Sequence, residues 1–107
     1  MARAIVAVSI TPIGTGETSV SRFVAEAERV LARHPSIRVR LDPMFTNMEG
    51  ELAEIFDAIL EMEEAVAAAG AARISTVIKI DDRRDHPHAM EEKIKVVEEH
   101  LRAATEK

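Results

Sequence analysis

The spacing of apolar residues divides the first third of the chain into a strand and a helix. Residues Arg3 to Ile10 are rich in β-branched and apolar side chains, which predicts a strand stopped by Pro12 and the turn Gly14-Thr15-Gly16. A helix is then expected to start near Ser19, a good N-cap residue, and to end before Pro35. Its apolar positions recur at three- and four-residue spacing: Val20, Phe23, Val24, Ala27, Val30 and Leu31.

Two further strands, a helix and a fourth strand are predicted next. Ile37 to Leu41 alternates apolar residues with arginines, as a half-buried strand does, and Met44 to Glu49 predicts a third strand with weaker alternation. Gly50 separates that strand from a second helix, for which Gly70 is a natural C-terminal stop. Arg73 to Ile80 is expected to be the fourth strand. The apolar stripe of the second helix comprises Leu52, Ile55, Phe56, Ile59, Met62 and Val66.

A charged loop and a last helix complete the pattern. The loop is Asp81 to His88, and the helix carries Met90, Ile94, Val97 and Leu101 on one face. The order β-α-β-β-α-β with a trailing helix predicts an α+β, ferredoxin-like sandwich, in which strands one and three are the central antiparallel pair. We expect it to form one domain over residues 1–107. Because two helices cover one sheet face and the other face is also partly apolar, we expect an oligomer.

Composition narrows the class of function. With 47% hydrophobic residues, the 107-residue chain can bury a core without disulfides or a structural metal. A net charge of -5 and only three aromatic residues, all Phe, argue against a nucleic-acid partner. The absence of cysteine excludes thiol catalysis and fits a reducing cytosol. No apolar stretch approaches membrane-spanning length, and the first strand does not resemble a signal peptide, so we expect a soluble cytoplasmic protein with no membrane partner.

Three short motifs have both a functional and a plainer interpretation. Gly14 to Ser19 lies where backbone N–H groups can hold an anion, but it lacks the P-loop lysine, and a tight turn with a helix cap is favoured. The run Asp81 to Asp85 is more typical of residues that are solvated or salt-bridged across an interface than of a metal or phosphate site. His86 and His88 have no obvious third ligand, so we expect no metal site and no cofactor. The other histidines are expected on the surface near helix ends: His34 and His100.

Polar side chains gather near the ends of the predicted strands. They are Ser9 and Thr11 on strand one, Thr46, Asn47 and Glu49 on or after strand three, and Lys79 on strand four. Because strands one and three are neighbours in the predicted sheet, we expect these side chains to approach one another. Glu49 can accept two hydrogen bonds from an amino-heterocycle or neutralise a cation. The alternative, which spacing alone slightly favours, is a solvent-facing or Lys79-paired glutamate at a strand edge.

Three segments carry a resemblance to a known family. They are Ser9 to Gly16, Pro43 to Gly50 and Thr76 to Asp85, of which the string Lys79 to Asp85 is the most specific. Together with Met90 to Lys93, which opens the last helix, they resemble the thiamine-binding protein family of the MTH1187/YkoF-like type over nearly the whole chain. The resemblance implies a ferredoxin-like fold, stacking of sheets into dimers, and tetramers that are dimers of dimers. It also implies binding of thiamine or its hydroxymethylpyrimidine part, without known catalysis.

The resemblance also bears on individual residues. The polar residues that match family motifs, and are thereby implied in ligand binding, are Ser9, Thr11, Thr46, Glu49 and Lys79. Phe45 and Asn47 depart from the family pattern, which has a small and an aliphatic residue there. Phe45 can narrow the pocket or stack on a ring, and Asn47, which we keep in the predicted ligand-binding set, can change its hydrogen bonds. The departures leave the exact ligand open.

Three functions therefore stay open, in order of preference. The first is a carrier or sensor of thiamine or a pyrimidine, and the permanent thiazolium charge of thiamine suits a sheltered carboxylate. The second is a small enzyme that acts on a related heterocycle with Glu49 as general base. The third is an interaction or regulatory module whose open sheet face serves assembly alone.

Overall fold

The strands and helices follow the predicted order in the computed structural model, which describes residues 3–105. The elements are β1 (Arg3–Ile13), α1 (Ser21–Val30), a 3₁₀ turn (Leu31–Arg33), β2 (Arg38–Leu41), β3 (Thr46–Glu51), α2 (Leu52–Ala68), β4 (Arg73–Asp81) and α3 (Met90–Thr105). The strands form one sheet in the order β2-β3-β1-β4, with three antiparallel pairings. This confirms the predicted ferredoxin-like α+β fold with its additional C-terminal helix, and the central pairing of β1 with β3.

The two faces of the sheet differ in burial because successive side chains of a strand point to opposite sides. On the inner face, which α1 and α2 cover, Ala4, Val6, Val8 and Ile10 of β1 are buried. The alternate residues of β1 lie on the outer face, where Ile5, Ala7 and Ser9 are half-buried. The inner face and the two helices share one hydrophobic core, whose largest fully buried members are Phe23, Met48, Ile55 and Met62.

The ends of β1 and β3 lie beyond their predicted positions because sheet pairing overrides the local preference of Pro and Gly. β1 continues through Pro12 to Ile13, although Pro12 is expected to stop it. Its pairing with β3 ends at Val8, so one side of β1 is unpaired beyond that residue and a missing N–H is tolerated. Gly50 lies inside β3, where it pairs with Ala4 rather than ending the strand.

The first helix begins slightly later than expected. The N-cap residue of α1 is Val20, and the predicted cap, Ser19, lies one residue earlier. The hydroxyl oxygen of Ser19 accepts the backbone N–H of Ser21 at 3.4 Å, so it still satisfies a donor at the helix start. The predicted apolar stripe of α1 is mainly buried, with Phe23 and Ala27 facing the core.

The apolar stripes of the other two helices are less buried than predicted. On α2, Phe56 is 39% exposed, and Ala58 takes a place in the core instead. On α3, Met90 is buried, whereas residues 91–103 are all exposed. The stripe predicted on this helix therefore lies on the surface of the chain. Within residues 3–105, no helix combines the length and apolar character needed to cross a membrane.

Candidate functional site

The structure divides the six predicted ligand-binding residues among three places. Ser9, Thr11 and Thr46 line one cleft, Asn47 and Lys79 line a second, and Glu49 lies in a small pocket beside the loop that precedes α3. Thr46 and Asn47 are separated although they are neighbours in β3, because adjacent side chains of a strand point to opposite faces. The expectation that all six approach one another is therefore wrong.

Glu49 is held by groups of its own chain and is buried, with 7% of its surface exposed. Nη1 of Arg38 donates to both carboxylate oxygens at 3.1 Å, and Nη2 of Arg3 lies 3.5 Å from Oε2. The backbone N–H of Met90 donates to Oε1 at 2.8 Å. Glu49 is thus neither solvent-facing nor paired with Lys79, and its contacts join the sheet to the start of α3.

The first cleft lies among α1, the second half of β1 and the β2–β3 connection, and has a volume of about 270 Å³. We call it the Glu28 cleft. Most of its wall is apolar, with contributions from Val20 and Val24 of α1 and from Met44 and Phe45 of the connection. Phe45 is half-buried there, so part of its surface remains accessible.

Glu28 gives this cleft its carboxylate. The hydroxyl of Thr46 donates to Oε1 of Glu28 at 2.6 Å. Oε2 is buried and has no hydrogen-bond partner in the described part of the chain. Within residues 3–105 no cation forms an ion pair with Glu28, so none of these residues neutralises its charge.

Sequence reasoning overlooked Glu28, although the sequence contains a signal for it. Glu28 follows Val20 and Val24 at four-residue spacing, so it continues an edge of the apolar stripe of α1. A carboxylate in line with apolar residues is costly unless a partner or a ligand compensates it. The stripe was identified from its apolar residues alone, so a charged residue at the same spacing was not counted as part of it.

The second cleft lies on the outer face under the first turn of α3 and has a volume of about 340 Å³. We call it the Lys79 cleft. Its floor is a row that crosses all four strands in register, Arg40, Asn47, Ala7 and Lys79. Ile94 of α3 lines the opposite side.

The charges of the Lys79 cleft are partly paired. Nε of Arg40 lies 3.2 Å from Oδ1 of Asp42, and Nδ2 of Asn47 donates to Oδ2 of the same carboxylate at 2.7 Å. Lys93 forms an ion pair with Asp81, and its hydrogen bond lowers the pKa of that carboxyl. Lys79 has no hydrogen bond or ion pair within residues 3–105, which leaves its ammonium group available.

The other motifs make local contacts. Gly14 and Gly16 have φ angles of +76° and +82°, and the chain bends at both residues. In the charged run, Arg83 pairs with Asp85 at 3.1 Å and Arg84 pairs with Asp82 at 2.9 Å, both within the run itself, and pairing across an interface stays a prediction. In the described part of the chain, no group of three or more His, Asp or Glu side chains is arranged to hold a metal ion.

His34 differs from the surface residue that was expected. Its side chain is only 13% exposed and lies between the end of α1 and the side of α2. Nε2 contacts the carboxylate of Glu61, and Nδ1 lies 3.5 Å from Oε1 of Glu54. The hydrogen bond with Glu61 is the largest cause that raises the pKa of His34 above its usual value.

Comparison with known proteins places the chain in a family. The family model described as thiamine-binding protein matches residues 6–98. The YqgV protein of Bacillus subtilis is 43% identical over 92% of this chain and 97% of its own length. A protein of Methanothermobacter thermautotrophicus is 37% identical over 87% of this chain and 94% of its own. The crystal structure of MJ1052 from Methanocaldococcus jannaschii has a TM-score of 0.82 and 34% identity, and the match covers 92% of this chain and 99% of that one. This chain therefore belongs to the thiamine-binding protein family.

Proposed function

We propose that this chain is a cytoplasmic, non-catalytic carrier or sensor that binds thiamine or a related aminopyrimidine in the Glu28 cleft. The observation that supports this placement most directly is the buried Oε2 of Glu28, which has no partner within residues 3–105. A buried acceptor without a donor costs about 1–3 kcal/mol, and a bound ligand that supplies a donor removes that cost. Membership of the thiamine-binding family supports the ligand class.

The chemistry of an aminopyrimidine suits the Glu28 cleft. Its exocyclic amino group can donate to Oε2 of Glu28 while Thr46 continues to occupy Oε1. The permanent positive charge of a thiazolium ring is attracted by the same carboxylate. The half-buried ring of Phe45 offers a stacking surface, which is one of the two roles expected for it. A volume of about 270 Å³ can hold one or two small rings.

The six predicted residues receive different roles in this proposal. Thr46 orients Glu28. Ser9 and Thr11 also line the cleft, but they alternate with the buried inner-face residues of β1, so their side chains point to the outer face and their hydroxyls are not assigned to this ligand. Asn47 and Lys79 line the other cleft and are not assigned to this ligand. Glu28, rather than Glu49, is the carboxylate that we assign to the ligand contact. Because guanidinium and amide donors occupy its oxygens, Glu49 is also poorly placed to act as a general base.

Isothermal titration of the purified chain with thiamine, and separately with hydroxymethylpyrimidine, tests the proposal. We expect saturable binding, and an affinity that falls about tenfold to a hundredfold in Glu28→Gln, because a charge-assisted hydrogen bond and a neutralising charge are lost. Glu26→Gln is the matched control, since Glu26 lies on the same helix and pairs with Arg29 at the surface. Glu49→Gln is expected to retain the affinity of the unmodified chain.

Three results would contradict parts of this proposal. No saturable heat with either compound removes the thiamine assignment. Equal affinity in Glu28→Gln and Glu26→Gln removes the Glu28 cleft as the site. A new product, seen when the titrated mixture is separated by chromatography, restores the enzyme alternative.

We also propose that the chain assembles into dimers and, as a dimer of dimers, into tetramers. The support is a set of exposed apolar residues on two elements. Val77 and Ile80 on β4 are 53% and 42% exposed, and Val97 on α3 is 57% exposed. β4 is also an edge strand, whose free backbone groups favour pairing or coverage by another chain. Exposed apolar side chains of this kind are typical of interfaces.

A further inference from the structure

The Lys79 cleft has a charge pattern opposite to that of the Glu28 cleft. Its lining includes the cations Arg40, Lys79 and Lys93 and the carboxylates Asp42 and Asp81. Asp42 is occupied by Arg40 and Asn47, and Asp81 is occupied by Lys93. One positive charge therefore remains after pairing, that of Lys79.

Donors remain available at both ends of the row that forms the floor. Arg40 uses Nε for Asp42, and its two terminal nitrogens have no hydrogen-bond partner within residues 3–105. Lys79, at the other end of the row, has no partner in the same range. A guanidinium group and an ammonium group that line one cleft are the donors that proteins use for phosphate oxygens.

The middle of the cleft has room for the apolar part of a ligand. Ala7 lies between Asn47 and Lys79 in the row, and its small side chain leaves space above the sheet at this position. Ile5 and Ile94 line the same cleft, one from the sheet and one from α3. The combination of an apolar middle and roof with unpaired cationic donors fits an organic anion better than a free inorganic ion.

We propose that the Lys79 cleft binds a small organic phosphate monoester. Lys79 contacts the phosphate oxygens at one end of the row, the organic part lies against Ala7 and Ile94 in the middle, and the terminal nitrogens of Arg40 are available to polar groups of the ligand at the other end. Asp42 lines both clefts, but Lys79 lies on the outer face of the sheet and Glu28 belongs to α1, which covers the inner face, so the two ligands contact different groups. The proposal therefore does not depend on whether thiamine binds.

Titration of the full chain with phenyl phosphate at low ionic strength tests the proposal. Binding is followed in amide nitrogen–proton NMR spectra. We expect saturable shifts centred on Ala7, Asn47 and Lys79, and affinity about fivefold to tenfold lower in Lys79→Met, because one charge-assisted contact is lost. Lys95→Met is the matched control, since Lys95 is an exposed lysine of α3 outside the lining of the cleft. Inorganic phosphate is expected to bind more weakly than phenyl phosphate.

Two further variants test whether phenyl phosphate lies in this cleft. Ala7→Leu fills the floor and is expected to abolish the shifts, whereas Glu28→Gln is expected to leave them unchanged. The proposal is overturned if Lys79→Met and Lys95→Met bind phenyl phosphate equally. It is also overturned if inorganic phosphate binds as well as phenyl phosphate, or if the shifts are spread over surface lysines.

Discussion

At the scale of single residues, two glutamates of this chain have opposite surroundings. Glu49 receives hydrogen bonds from Arg38 and from the backbone of Met90, so its charge is used to hold the fold. Glu28 receives one bond, from Thr46, and retains a buried oxygen without a partner within residues 3–105. Glu28 is therefore the better candidate for a ligand contact. A ligand that donates to its buried oxygen removes the free-energy cost of an unpaired acceptor, which the folded chain retains.

His34 leads to a prediction about pH. Its pKa is raised in the folded chain by Glu61 and Glu54, so its contribution to stability is fully present below the unfolded value of about 6.5. That contribution is lost as the pH rises through the higher folded value. We expect the free energy of unfolding, measured with urea, to decrease as the pH rises above about 6.5, and to decrease less in His34→Gln.

His100→Gln provides the control for this measurement, since His100 is exposed on α3. Its pH dependence should match that of the unmodified chain. If His34→Gln shows the same decrease as the unmodified chain, the contacts with Glu61 and Glu54 do not stabilise the charged imidazole.

At the scale of elements, α3 is attached to the sheet through its first turn. Met90 is buried and donates its N–H to Glu49, Arg38 contacts Glu91, and Lys93 contacts Asp81. The contact with Arg38 lowers the pKa of the Glu91 carboxyl. These contacts position α3 over one end of the outer face and form the roof of the Lys79 cleft.

Glu49→Gln tests this attachment. Loss of the buried charge leaves Arg38 and the N–H of Met90 less well satisfied, and we expect the free energy of unfolding to fall by about 1–3 kcal/mol. Amide hydrogen exchange at the start of α3 should become faster. Glu51→Gln is the control, because Glu51 lies on the same face of β3 and has no ion pair within residues 3–105. Equal effects of the two substitutions would show that Glu49 does not anchor the helix.

At the scale of the whole molecule, the exposed stripe of α3 and the edge of β4 leave much apolar surface in contact with solvent. The chain is also elongated, with principal extents of 53 × 34 × 19 Å. An apolar helix face attached at one end is stabilised when another subunit covers it, since helices gain most of their stability from packing. This is the physical reason for the proposed oligomer.

Val97→Lys tests the oligomer. We expect light scattering after size exclusion to give a mass of more than one chain for the unmodified protein, and a shift towards one chain for the variant, because a charge is placed in an apolar interface. Glu98→Lys, which changes an exposed residue on the same helix, should leave the mass unchanged. A mass of one chain for the unmodified protein at micromolar concentration would contradict the assembly. An assembly that forms while neither heterocycle binds would favour the interaction module.

The order of the elements could be predicted because periodicity is a local property of the chain. Spacings of two and of three to four residues identified the strands and the two covered helices, and the order of those elements limited the topology to a ferredoxin-like sheet. The same periodicity placed the alternate residues of β1 on opposite faces. The ends of β1 and β3 were less predictable, because pairing between strands outweighed the local effects of Pro12 and Gly50.

The candidate sites depend on the tertiary structure. Whether the oxygens of a carboxylate find hydrogen-bond donors depends on which distant groups fold against it. Arg38 and Met90 supply donors to Glu49, whereas the apolar wall around Glu28 supplies none. The sequence by itself therefore determined the fold class and the family that this chain resembles, since both are carried by local patterns and motifs. Only the tertiary structure decided which glutamate remains available and where the unpaired lysine lies, because burial and pairing arise between residues far apart in the chain.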